Sequence, residues 1–113
     1  MSIEDTYADL DRVHLAAGVA AFALGLRSAD VLSYGRGSPA VSFGRHVAMY
    51  LCHVGLEMSL SRIARVLNRD RSTVAYGCHA IEDRRDDPEF DEWIDQVEQG
   101  LKGLLPLHAA KAA

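Results

Sequence analysis

Residues 69–74 read R-D-R-S-T-V, between two stretches whose apolar residues recur every three or four positions. Asp70 is a residue type that caps a helix N-terminus, and Ser72 and Thr73 place short hydroxyl side chains on the first turn. Arg69 and Arg71 flank them with positive charge. Upstream, Ser59 caps a shorter helical segment that runs to Leu67. Two helices over about 59–85, joined by a tight turn at Asn68–Arg69, predict a helix-turn-helix. A first turn carrying guanidinium, hydroxyl and carboxylate groups suits the major groove of DNA. There arginine pairs with guanine O6 and N7, a carboxylate accepts from cytosine N4, and a threonine methyl touches the thymine methyl.

Outward from this pair, the chain reads as helix throughout. Ile3, Tyr7, Leu10, Val13, Ala17, Ala21 and Leu24 form one apolar face of a first helix over about 3–24, with Ser2 and Asp5 as a capping box and Gly25 as its stop. Ser28 caps a short turn to Leu32. Residues 34–41 are a loop by composition. A third helix starts at Ser42 or Phe43 and ends near His53, with Phe43, Val47, Leu51 and Val54 inward. The fifth helix spans about 71–85. The last, about 89–105, turns Phe90, Trp93, Ile94, Val97, Leu101 and Leu104 to one side. The expected fold is all-α: five or six helices around a central helix-turn-helix.

With 113 residues, 49% of them apolar, the chain suits one domain, expected over 1–105 with a flexible tail over 106–113. No apolar run approaches the ~18 residues that a membrane span needs, so no membrane partner is expected. The acidic N-terminus is unlike a signal peptide, which predicts a cytoplasmic protein, at the nucleoid if it binds DNA. Cys52 and Cys78 are expected as small buried apolar groups. The five histidines lie at no metal-ligand spacing, and no nucleophile–base set is visible. No metal, cofactor or enzymatic activity is therefore expected.

The net charge of −4 is unevenly distributed. Residues 1–30 carry five acids against two bases, and residues 82–98 nine acids against two arginines. Residues 31–81 carry six arginines against two acids, and this block coincides with the helix-turn-helix. Arg62, Arg65, Arg69 and Arg71 also admit the plainer reading of a solvated helical face, and Thr73 that of a simple helix-start residue.

Residues 43–82, F-G-R-H-V-A-M-Y-L-C-H-V-G-L-E-M-S-L-S-R-I-A-R-V-L-N-R-D-R-S-T-V-A-Y-G-C-H-A-I-E, resemble the C-terminal DNA-binding domain (domain IV) of the bacterial replication initiator DnaA. The cues are R-x-x-A-M-x-L, S-L-x-x-I and R-D-x-[ST]-T-V-x-x-x-C-x-x-I-E, and the likeness covers roughly 15–100. It implies a Trp-repressor-like, DnaA domain IV-like fold that binds a nine-base-pair box, with the recognition helix in the major groove and a basic loop in the minor groove. Carried over, Asp70, Ser72 and Thr73 face bases or nearby phosphates, and Arg71 stands where the family has histidine. Arg45 matches a backbone-contacting arginine, His46 lies beside it, and Arg69 and Arg36 hold phosphate or the neighbouring groove. His53 replaces a basic residue, and Ser61 a proline that touches a thymine methyl. Gly37 occupies the place of the minor-groove arginine, leaving Arg36 the only base of its loop.

No G-x-x-x-x-G-K-[ST] occurs, so the chain reads as a DNA-reading head without the ATPase. The favoured expectation is sequence-specific binding of DnaA-box-like double-stranded DNA, regulating replication initiation or transcription. The alternative is a protein-interaction module that kept the fold and acts on DnaA or another replication protein. The start of the first helix, residues 3–13, is expected to pack in the core or to serve self-association.

Overall fold

The computed structural model describes residues 3–105, which form six helices and no strand: α1 (Ile3–Leu24), α2 (Ser28–Leu32), α3 (Pro39–Tyr50), α4 (Leu60–Leu67), α5 (Arg71–Arg84) and α6 (Pro88–Gly103), with a π-helical turn, Leu51–Gly55, continuing α3. The predicted all-α class is the observed one. The capping box at Ser2 and Asp5 and the tail over 106–113 lie outside what is described.

α3 is central. It packs on α1, α2 and α5, with Val47, Ala48, Met49 and Tyr50 buried. The reason lies in what faces it. α1 turns Val13, Ala16, Ala17, Ala20 and Ala21 inward, and these small side chains let the helices approach closely. Gly25 ends α1 at φ +68°, where a side chain would be strained. Leu26 N–H then reaches Ala21 C=O at 2.8 Å, closing the turn that satisfies the last carbonyls.

Several expectations are corrected. α3 begins at Pro39, three residues before the predicted start. Ser38 caps it by accepting from Val41 N–H at 3.2 Å, and the proline sits at the first helical position, where its missing N–H has no intrahelical role. Arg27, not Ser28, is at the N-cap of α2. Tyr7 and Leu104, expected on apolar faces, are 63% and 61% exposed. Val54 is exposed because the π-turn changes the helical phase after Leu51, as the Leu56 N–H to Leu51 C=O bond (3.0 Å) shows. Pro88 starts α6 and does not merely precede it, with Asp87 as cap.

The first half of α1 has a specific partner. Asp9 is only 2% exposed and accepts from Arg62 Nε of α4 at 2.9 Å, tying α1 to the helix-turn-helix. At the other end of α5, Arg84 lies over the rings of Phe43 (4.5 Å) and Phe90 (4.7 Å), and Arg85 donates to Tyr50, Asp91 and Asp95. These contacts hold the acidic α6 against the C-terminal end of α5, away from its N-terminus. Cys52 and Cys78 are buried free thiols, and burial pushes them up to about 12 and about 11.

Candidate nucleic-acid interface

α4 and α5 are joined by three residues. Asn68 takes the left-handed conformation (φ 54°, ψ 50°), which asparagine tolerates better than other side-chain-bearing residues. Arg69 N–H bonds Ala64 C=O at 2.9 Å and Asn68 N–H bonds Arg65 C=O at 3.3 Å, completing the helix stop. Asp70 follows with extended backbone (φ −71°, ψ 147°), and α5 starts at Arg71. Ser59 caps α4 by accepting from Arg62 N–H at 3.2 Å.

Asp70 departs from the sequence expectation in one respect. It stands at the N-cap, yet its carboxylate makes no capping hydrogen bond. Asp70, Arg71, Ser72 and Thr73 are all exposed at the head of α5. A polar cleft of about 320 Å³ lies beside them, lined by Tyr34, Asn68, Arg69, Asp70 and Thr73. Helix dipole, hydroxyls, carboxylate and guanidinium thus converge on one open end.

The six arginines of residues 31–81 do not share that surface. Arg45 is buried and donates to Val31 O (3.1 Å), Asp30 O (3.1 Å) and Ser33 Oγ (2.7 Å). Burial, and next the charge of Arg69, hold it below the ordinary guanidinium value. Arg62 is bound to Asp9. Arg69 is half-buried and donates from Nη2 to Ser33 O (3.1 Å) and Tyr34 O (2.7 Å), with its guanidinium 5.1 Å from the Tyr34 ring centre. Arg45 and Arg69 therefore grip one segment, 30–34, from two sides. That segment leads into the loop that carries the exposed Arg36.

The remaining expected residues are dispersed. His46 is half-buried, edge-on to Tyr76 with ring centres 5.7 Å apart, and burial followed by the charge of Arg45 lowers its pKa. His53 places Nδ1 2.8 Å from Met58 O; a carbonyl only accepts, so that nitrogen carries the proton. Ser61 is exposed on the first turn of α4. Gly37 cannot carry a side chain as the loop stands, because a Cβ there would lie 2.4 Å from Val41 Cγ1.

Sequence reasoning missed Tyr76. It is 68% exposed and follows Ser72 by four residues, so it extends the same face of α5. The signal was present in that spacing. Gly77 beside it lets α3 and α5 meet, since a Cβ there would lie 2.6 Å from Met49 Sδ.

Among the described residues, no helix is long and apolar enough to cross a membrane. Residues 18–81 match the family described as the bacterial DnaA protein helix-turn-helix. Over 57 residues the chain is 42% identical to the chromosomal replication initiator protein DnaA of Lachnoclostridium phytofermentans, an alignment covering 49% of this chain and 13% of that protein. Its fold is similar to that in the crystal structure of a DNA replication initiation factor, with TM-score 0.77 and 24% identity over 87% of this chain and 30% of the other. The chain thus corresponds to a small part of either relative's length. With more than half of its residues in that match, the chain belongs to the bacterial DnaA helix-turn-helix family, a DNA-binding module of replication initiation and not a catalytic one.

Proposed function

We propose that this chain binds double-stranded DNA at DnaA-box-like sites through the first turn of α5, regulating replication initiation or transcription without hydrolysing ATP itself. The observation that carries the reading is the open head of α5: four exposed polar residues, one of them a carboxylate at the N-cap that the helix does not use. Arg71 takes a guanine edge, Asp70 accepts from a cytosine amine, Thr73 meets a thymine methyl, and Ser72 binds a base or phosphate. Arg36 enters the neighbouring groove, and Ser61 approaches the backbone from α4. Arg45, Arg69, His46 and His53 position these groups through internal contacts. Such a role places the protein in the cytoplasm, at the nucleoid.

Titration of a labelled duplex carrying the initiator box against a scrambled duplex, at two salt concentrations, tests this. The box is expected to bind more tightly at both. Arg71→Ala should weaken box binding by about 1–3 kcal/mol, the scale of one bidentate base contact. Equal affinity for both duplexes removes the sequence-specific reading.

A second reading has a specific observation behind it. Arg62 is ion-paired with Asp9 and Arg45 is buried, so the surface charge near the helix-turn-helix is smaller than the sequence suggests. A module that contacts DnaA or another replication protein fits that reduced charge. Capture of such a protein with no shift of box duplex supports this reading over the first.

A further inference from the structure

We propose that the chain pairs with a second copy of itself through the outward face of α1 and the groove between α1 and α6, with Phe22 as the inserted side chain. This goes beyond the DNA reading and does not depend on it. Residues 13–24 of α1 are V-H-L-A-A-G-V-A-A-F-A-L, without an aspartate, glutamate, lysine or arginine. One side of this stretch fills the core. The opposite side, exposed at Phe22 and Ala23 and half-buried at Leu15, Gly18 and Val19, is apolar apart from the exposed His14, and an uncovered apolar patch of this kind marks an interaction surface. Phe22 is 90% exposed. Phe22 borders a groove of about 550 Å³ whose lining is otherwise chiefly Leu15, Gly18, Val19, Val97 and Gly100, with His14 as its polar member.

The two glycines carry the argument further. Both sit inside helices, where glycine is the least favoured residue after proline. Neither has an internal reason to be there, since a Cβ at Gly18 or Gly100 would meet nothing within 4 Å. Both face the same groove as the exposed phenylalanine. Among the described residues the hollow thus has no occupant, and Phe22 beside it is left uncovered.

The occupant is a second copy because the face is complementary to itself. At about 100° per residue, Asp11, Leu15, Gly18 and Phe22 fall within about 60° of one another on α1. An antiparallel pairing of two α1 helices sets Phe22 of each copy on Leu15 of the other and brings the Gly18 positions together at the twofold axis. The same register carries Asp11 of one copy to the C-terminal end of α1 in the other, where Arg27, paired with its own Asp30 at 3.2 Å, keeps its side chain 83% exposed and open to a second carboxylate. Opposite charges therefore meet at both ends of the apolar strip. α5 does not line the groove, so both α5 N-termini stay open. The strip is about 18 Å long. Two helices wide, it offers well under the ~800 Å² per partner of a standard interface, so the pair is transient and needs concentrated protein.

Sedimentation equilibrium of the full chain from ~5 to ~300 μM tests the pairing, those limits bracketing the weak end of specific association. A concentration-dependent dimer is expected. Phe22→Asp should raise the dissociation constant at least tenfold without altering the melting curve, since the side chain touches little within the protomer. Gly18→Lys tests the same face at a position with free space and should act likewise. Asp11→Arg should weaken pairing, and adding Arg27→Asp should restore it. A monomer throughout the range overturns the proposal, as does a dimer indifferent to Phe22→Asp and Gly18→Lys. A charge swap that fails to restore pairing overturns the antiparallel arrangement. Affinity of Phe22→Asp for a single-box duplex, measured alongside, keeps this outcome separate from the DNA reading.

Discussion

Arg69 lies over the ring of Tyr34 at 5.1 Å and donates to the same residue's carbonyl at 2.7 Å, so the turn of the helix-turn-helix and the loop leading to Arg36 are one unit. Nη2 of this guanidinium is held by the loop, and we propose that Arg69 acts by positioning the loop and not by contacting phosphate. Arg69→Ala should therefore reduce affinity for the box duplex while leaving the salt slope unchanged. A lost phosphate contact would lower that slope by about 0.9. Titration at four salt concentrations separates the two. A slope lower by nearly one unit assigns Arg69 to the DNA backbone.

The two helix starts predict opposite results. Ser59 makes its capping bond, so Ser59→Ala should cost about 1 kcal/mol of stability. Asp70 makes none, so Asp70→Ala should cost less than about 0.5 kcal/mol, below the usual cap range. Its effect should instead fall on base preference, read from competition with single-position variants of the box. Equal stability losses in urea melts would mean that the carboxylate caps the helix in solution.

Gly37 and Val41 decide whether the loop can be made more basic. A Cβ at position 37 collides with both the Cβ and Cγ1 of Val41, and a β-branched side chain has few rotamers with which to yield. Gly37→Arg alone should disturb the loop and give little gain in duplex affinity. Combined with Val41→Ala, it should bind more tightly, with a salt slope steeper by up to about 0.9. A full gain from Gly37→Arg alone would show that the loop adapts freely.

Helix existence was legible in this sequence because the apolar spacing and the punctuation agreed. Ile3–Leu24 with Gly25, and α4–Asn68–α5, were found to within a residue or so. The start of α3 was misread because S-P-A-V has a loop composition, although Ser38 before Pro39 is also a cap followed by the proline that helices admit at their first position. Val54 was misplaced because a π-turn leaves no periodic trace in five residues. The head of α5 was legible from residue types alone. The destinations of the arginines were not. Arg45, Arg62 and Arg69 are drawn inward by the carbonyls of Asp30, Val31, Ser33 and Tyr34 and by the carboxylate of Asp9, none of which is near them in sequence. Charge counted along a chain cannot distinguish a guanidinium that faces solvent from one that closes a tertiary contact.

His46 makes a prediction about pH. Its pKa is lowered chiefly by burial and secondarily by the positive charge of Arg45, and Tyr76 packs edge-on against its ring. In the unfolded chain the imidazole titrates near ~6.5. As the pH falls through that value the unfolded state takes up a proton that the folded state refuses, so stability drops. Above it both states are neutral and the group contributes no pH dependence. His46→Gln, which fills similar space without titrating, should therefore flatten the fall in melting temperature between pH 7.5 and 5.0. The informative quantity is the wild-type minus His46→Gln difference at each pH. It should be constant above about pH 7 and grow against the wild type below pH 6.5. A difference that stays constant to pH 5.0 would mean that water reaches the ring freely and that the packing between α3 and Tyr76 is looser than its geometry indicates.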